Sequence, residues 1–467
     1  MKKSPPVITE NPMMKFIKNK SRNLFSDKLF SEILTGSAWS FSAQLTAAAL
    51  GMANSIIVAR FYGADILGTV AIINSFLLLT TIFTVLGTST AILRLIPEHI
   101  ARYSPASAFR VYRKTQWFVL SVSVLTGVVL FLFSEFIANT IFSKPNLSLL
   151  FSISACFVVF QSLVQLNTQA VRGLRLVKLF AFMQVLPFLS KLTILVAVTF
   201  LFFHPYNPVY AMFAAIAVTA VAGTGIMDRN FKKQMRPTDN IHEMPLKEIL
   251  RLSWPMLLTA TMYFLISQTG IIILGIFKSE AEVGYYAVAV RLSILTTYIL
   301  QAAGAMAAPQ FSALFHSGKT DELFHVAKKT TKLVLLVTSP MVLVLLLFGG
   351  YILRYVYGNE FSAAYPPLII LLVGYFISMA SGANGLFMNM TDNQNVFKNI
   401  MLVTAGIHIG ANFLLIPRFG IYGAALASTT SLVVWNVSTL LYMKKKFGRT
   451  TGYFPLWQST NIRHRNP

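Results

Sequence analysis

Two cations stand alone in otherwise apolar stretches: Lys191 in the run 180–202 and Arg291 in the run 284–307. If both runs are helices, at 1.5 Å rise per residue Lys191 lies roughly 16 Å from either end and Arg291 roughly 10 Å from the nearer one. An ionisable group that deep in lipid is costly unless it faces water or a counter-charge. No Asp or Glu sits at mid-depth in any apolar run of this chain. Cations without balancing carboxylates suit a ligand that brings its own negative charge. Lys191 can instead bond backbone carbonyls loosened near Pro187, and Arg291 can snorkel along its stem toward an interface. Arg60 closes the first apolar run, with Asp65 in the same short loop as an available ion-pair partner. The amides Asn54, Asn74, Gln184, Gln268 and Gln301 offer hydrogen bonds either to a ligand's hydroxyls or to neighbouring helices. His408 titrates in a range where it could couple a proton, or it packs as a hydrogen-bonded core residue.

The elements that must position these groups are twelve apolar stretches, 36–59, 66–88, 115–138, 147–169, 180–202, 206–227, 252–275, 284–307, 333–353, 363–386, 399–416 and 420–442. Each is roughly long enough to cross a bilayer core as a helix. A chain that is 55% hydrophobic and 12% charged, with a mean hydropathy of +0.63, satisfies its backbone in lipid by forming helices. The expected fold is therefore an all-α membrane protein. Alternate gaps hold 32 of the 39 Lys and Arg residues, which places those gaps and both termini on the cytoplasmic side. A net charge of +23 would suggest nucleic acid in a soluble protein. Here the excess faces an anionic leaflet, so membrane lipids are the expected partner and nucleic acid is not.

Sliding the chain against itself by 216 residues aligns 56–76 with 272–292 without a gap, matching five positions that include Phe61/Phe277, Gly68/Gly284 and Ala71/Ala287. Both segments fall at equivalent places in two sets of six stretches. This predicts two six-helix bundles related by a parallel repeat, with a ligand site between them. The organisation read from this is a cytoplasmic amphipathic leader (1–35), an N-terminal bundle (36–227), a basic cytoplasmic linker (228–251), a C-terminal bundle (252–442) and a basic cytoplasmic tail (443–467). The first apolar run is expected to direct insertion, because 1–35 lacks a short apolar run ending in small residues. Pro187, Pro255 and Pro340 are expected to kink their helices. Cys156, the single cysteine, excludes an intramolecular disulfide and reads as a small core hydrophobe. No phosphate-binding loop and no His/Cys cluster is present, so neither a metal nor another cofactor is expected, nor nucleotide hydrolysis.

Four segments, Ala59 to Gly68 (ARFYGADILG), Val283 to Leu292 (VGYYAVAVRL), Tyr357 to Ala364 (YGNEFSAA) and Asn412 to Ala427 (NFLLIPRFGIYGAALA), resemble the multidrug, oligosaccharidyl-lipid and polysaccharide exporter superfamily, especially its polysaccharide-unit flippases of O-antigen type. The resemblance covers essentially the whole chain. It implies two bundles forming a V around a central cavity in the bacterial cytoplasmic (inner) membrane, and passage of a polyprenyl-pyrophosphate-linked glycan to the outer leaflet by alternating access. Glycan-assembly proteins are possible partners. A pyrophosphate would supply the negative charge that Lys191, Arg291 and Arg60 could hold. A cation-coupled drug or metabolite antiporter of the same superfamily is the alternative, with a membrane carboxylate as its usual coupling group. A polytopic glycan polymerase or ligase would instead need a sizeable outer loop for its catalytic groups.

Overall fold

The computed structural model describes residues 28–236 and 242–453, with side chains from Ala38 onward except at 259, 260 and 305. Every regular element among the described residues is helical. In chain order the main ones are α1 (Lys28–Val85), α2 (Thr88–Arg102), α3 (Pro105–Leu132), α4 (Ser148–Gly173), α5 (Val177–Leu201), α6 (Asn207–Gln234), α7 (Leu246–Phe277), α8 (Glu280–Leu295), α9 (Thr297–His316), α10 (Thr320–Ile352), α11 (Tyr365–Ser381), α12 (Asn384–Met390) and α13 (Gln394–Phe447). The amphipathic leader expected over 1–35 lies outside the described residues as far as position 27, as do 237–241 of the linker and 454–467 of the tail.

Among the described residues, nine helical stretches are long and apolar enough to cross a membrane, or ten if Leu246–Leu258 and Thr261–Phe277, bent by 48°, make one span. The twelve expected runs do not appear as twelve separate helices, and two glycines account for much of the difference. Runs 36–59 and 66–88 share α1, and runs 399–416 and 420–442 share α13. Each long helix turns at one non-helical residue, Gly63 (φ 81°, ψ 178°) and Gly420 (φ 53°, ψ −129°). A side chain at either φ would be strained, so only glycine lets the chain turn there without a loop. Run 284–307 is divided instead at Thr296, between α8 and α9. Pro187, Pro255 and Pro340 do lie inside helices, and the 48° bend follows Pro255 by a few residues.

The apolar cores show how the halves of the chain meet. One large cluster joins Ile72, Leu77 and Phe151 from the first half to Val283, Leu292, Phe361 and Leu368 from the second. Two smaller clusters lie apart from it: one around Tyr112, Leu166 and Phe231 also takes in Ile249, with Leu252 and Met256 of the second half packed against it, and the other gathers Phe311, Phe324 and Phe387. The halves thus join most extensively at the end that carries the large cluster, the latched end, and again at the other end, where Gly87 packs on the Ser253 and Leu257 backbone of α7. Residues 242–244 serve the first bundle: the His242 N–H donates to Ser107 Oγ, Lys114 donates to the Met244 carbonyl, and Glu243 pairs with Arg110. Cys156 is exposed, a correction to the core position expected of it, and its thiol has only a 4.0 Å contact to the Ser152 carbonyl.

Candidate functional site

The closest approach between halves is made by the two glycines that the 216-residue offset matched. A Cβ on Gly68 would overlap the Glu280 carbonyl oxygen and lie 2.9 Å from Gly284 N; one on Gly284 would overlap the Ala64 carbonyl oxygen. Gly68 thus meets 280 while Gly284 meets 64, and 280 and 284 lie 216 residues beyond 64 and 68. This reciprocity is what a twofold relation produces. It is also why both positions need glycine: helix α1 just past its turn and α8 pack backbone against backbone.

Around this contact the latched end is held by polar groups from both halves. Arg60 donates to the carbonyl of Val356 at 2.9 Å and to that of Tyr355. The Ala64 N–H donates to Glu360 Oε1 at 3.0 Å. Lys144, 9% exposed, donates to Glu280 at 3.0 Å and to the Lys278 carbonyl at 2.9 Å. The Asp65 pairing expected for Arg60 is corrected: the backbone turns away at Gly63 between them, and the guanidinium reaches across to the π-helical turn Leu353–Tyr357.

Deeper between the halves lie the two isolated cations. Arg291 on α8 donates to the Gly51 carbonyl of α1 at 2.7 Å. Its side chain is exposed, and Gly51, whose carbonyl it holds, also meets Phe188 of α5, so the guanidinium lies where α1, α5 and α8 converge. Lys191 on α5 faces the same place, where Arg291 is the charged neighbour that acts on it. Neither cation has a carboxylate partner among the described residues, and Lys191 has no hydrogen-bond partner there. The ring of Phe188, one turn before Lys191, lies where a Cβ on Gly51 would be 3.3 Å from it, so α5 and α1 close against each other beside the cations.

The amides divide by role. Gln184 lies two turns before Lys191 on the same face of α5, with its Oε1 buried and unpartnered. Asn54, 4% exposed and three residues beyond Gly51, has an unpartnered Nδ2. Two unsatisfied buried amide atoms near two unpaired cations are polar capacity that protein packing has not consumed. Gln268 and Gln301 instead join the halves, accepting from Ser75 and from Gln44 at 2.8 Å each. Asn74 is half-buried on α1 beside Ser75. His408 is fully buried on α13, bonded through Nδ1 to Ser431 at 2.8 Å within the same bent helix, with Nε2 unpartnered; it does not join the cation pair. Sequence reasoning passed over Lys144, Glu280, Glu360 and Tyr357; the last two lie in the quoted YGNEFSAA segment, the only signal that could have raised them.

This all-helical membrane architecture, with its halves held together by backbone contacts and polar bonds, has counterparts of the same fold among solved structures. A lipid II flippase MurJ in an inward closed conformation matches with a TM-score of 0.67 at 15% identity, covering 86% of this chain and 87% of that one. A multidrug resistance transporter of the MATE family of the MOP superfamily, in an inward-facing conformation, matches with a TM-score of 0.65 at 14% identity, covering 88% and 98%. The family model described as polysaccharide biosynthesis protein matches residues 57–366, and the chain belongs to that family. Among curated relatives, the probable low-salt glycan biosynthesis flippase Agl15 of Haloferax volcanii is 26% identical over 177 residues, 38% of either chain. The capsular polysaccharide biosynthesis protein CapF of Staphylococcus aureus is 22% identical over 258 residues, 54% of this chain and 64% of that one. The matches thus span less than two thirds of these relatives' lengths.

Proposed function

We propose that this protein is a flippase that carries a polyprenyl-pyrophosphate-linked oligosaccharide unit from the inner to the outer leaflet by alternating access. The observation that carries the reading is the pair Lys191 and Arg291, like charges contributed by different halves to one cleft with no carboxylate between them. A pyrophosphate placed between them supplies the missing counter-charge and bonds both cations at once. Asn54 and Gln184 then meet the first sugar hydroxyls with their unpartnered atoms. The polyprenyl tail stays in lipid.

In this reading α1 and α13 each cross twice about their glycine turns, making twelve crossings in two bundles, 36–227 and 252–442. The reciprocal Gly68/Gly284 contact supports a parallel repeat with its axis along the membrane normal. The basic linker end lies in the cytoplasm by the positive-inside rule, and the latched end lies outside. One relative supports the substrate class: Agl15 is named a probable low-salt glycan biosynthesis flippase.

The test is transport of a labelled polyprenyl-pyrophosphate glycan in proteoliposomes by wild type, Lys191→Ala and Arg291→Ala at equal reconstitution. Wild-type transport lost in both variants is the expected result. Transport that neither substitution changes rejects the cation pair as the site.

A further inference from the structure

The link between α4 and α5 is only three residues long, 174–176, and both helices are long and apolar enough to cross a membrane. So short a link stays at the membrane surface, which puts the side chains around it at the depth of lipid headgroups. Three of those side chains are exposed cations, Arg172, Arg175 and Lys178. Two backbone bonds close the reversal, from the Arg175 N–H to the Arg172 carbonyl at 3.0 Å and from the Leu176 N–H to the Val171 carbonyl at 3.4 Å. A helix end bonded in this way usually carries glycine at its left-handed position. Here Arg175 holds that position at φ 58°, where a residue with a Cβ is strained.

In the same half of the chain, Arg94 and Arg102 flank Glu98, Arg110 pairs with Glu243, and Arg113 pairs with Asp228. The three side chains of the α4–α5 turn have neither a carboxylate nor a hydrogen-bond partner among the described residues. Two of them lie over rings instead. The Arg172 guanidinium is 5.5 Å from the centroid of Phe180, and the Lys178 ammonium is 5.9 Å from that of Trp39, a 47% exposed ring on α1. A guanidinium resting on a ring keeps the N–H donors of its edge free, and a phosphate matches them two at a time.

We propose that the α4–α5 turn binds the headgroup of an anionic phospholipid. Arg172 and Arg175 take the phosphodiester oxygens, Lys178 adds a third positive charge, and Trp39 lies at the level of the glycerol and upper acyl chains. With the orientation proposed above, the lipid belongs to the cytoplasmic leaflet. Lipid held there bridges the start of α1 to α5, the helix that carries Lys191. The site stands apart from the substrate reading and does not depend on it.

The test titrates the detergent-solubilised protein with phosphatidylglycerol or phosphatidylcholine and reads bound lipid by native mass spectrometry. The wild type is expected to bind its first phosphatidylglycerol at least about tenfold more tightly than phosphatidylcholine. Arg172→Gln/Arg175→Gln/Lys178→Gln is expected to lose that preference. Arg229→Gln/Lys232→Gln/Lys233→Gln, which removes three exposed cations near the end of α6, is expected to keep it. Arg175→Gly removes one cation and relieves the backbone at once. It should outlast the wild type in thermal inactivation without added lipid, yet lose about threefold or more of the preference. A merely structural turn would gain the stability and leave lipid binding alone. Phosphatidylglycerol binding as in the wild type, by either the Gln triple variant or Arg175→Gly, would overturn the site. Equal loss in the α6 control would also overturn it, since net charge alone would then explain the preference. Displacement of phosphatidylglycerol by inorganic phosphate at matched concentration would overturn the lipid assignment in favour of a free anion.

Discussion

Replacing Gly284 by Ala tests whether the halves pivot on a backbone contact. The new Cβ would overlap the Ala64 carbonyl oxygen and sit 3.2 Å from both Ala64 C and Gly68 N. All three neighbours are backbone atoms, so no rotamer change can relieve the clash, and the helices must part by a distance on the order of 1 Å. Overpacking of this kind costs about 1–3 kcal/mol. The intrinsic helix preference of Ala over Gly returns about 0.5–1 kcal/mol, because α8 is regular at this position. The net expectation is a loss of about 1–2 kcal/mol, which near 25 °C corresponds to roughly a ten-fold change in an equilibrium constant. Gly410 on α13 supplies the control: nothing lies within 4 Å of a Cβ there, so Gly410→Ala collects the helix gain without the clash. Thermal denaturation of the detergent-solubilised protein, read as aggregation half-life at fixed temperature, should rank Gly410→Ala at or above wild type and Gly284→Ala well below it. Equal half-lives for the two variants would refute the claim that α1 and α8 meet backbone to backbone.

Three further outcomes follow from the same contacts. Lys144→Met leaves Glu280, 17% exposed in its side chain, without its cation; stripping one partner from a buried pair costs about 3–5 kcal/mol, and partial exposure places the expected loss at the low end, checked by the same half-life measurement with the double variant Lys144→Met/Glu280→Gln recovering most of it. Thr451→Val removes a hydroxyl that is 2% exposed and bonded to Asn384 Oδ1 at 2.6 Å and to the Ser381 carbonyl at 3.1 Å, so about 1–3 kcal/mol of stability should vanish with little change in ligand binding. Gln44→Leu/Gln301→Leu removes both partners of an exposed bond between halves; net contributions of such bonds are about 1 kcal/mol, so stability should barely move while cross-linking yields between cysteines placed in α1 and α9 should fall.

Much of the fold was legible because lipid leaves a chain few options. Long apolar runs with no polar backbone outlet must be helices, and the runs read from hydropathy fall on helices throughout the described residues. What hydropathy misses is a turn made by one residue. Gly63 and Gly420 reverse α1 and α13 without a polar loop, so only backbone geometry marks where one run ends and the next begins. The candidate site was legible in part for a similar reason: an isolated Lys or Arg in an apolar run advertises its own cost, which is why Lys191 and Arg291 stand out from the sequence alone. Pairings over long sequence separations left no such trace. Arg60 had a carboxylate five residues away, yet it bonds backbone carbonyls nearly three hundred residues on, a partner that emits no signal in composition or spacing.

The decisive measurement is equilibrium binding of polyprenyl pyrophosphate, set against the uncharged polyprenol of equal chain length, to wild type and to Lys191→Met/Arg291→Met in nanodiscs. Each unpaired cation meeting a phosphate oxygen contributes on the order of 1.5–3 kcal/mol, so the wild type should prefer the pyrophosphate by at least about a hundredfold. The double variant should lose that preference while keeping its weak affinity for polyprenol. A wild type that binds both lipids alike, or a double variant that keeps the preference, would contradict the assignment of the cleft to an anionic headgroup.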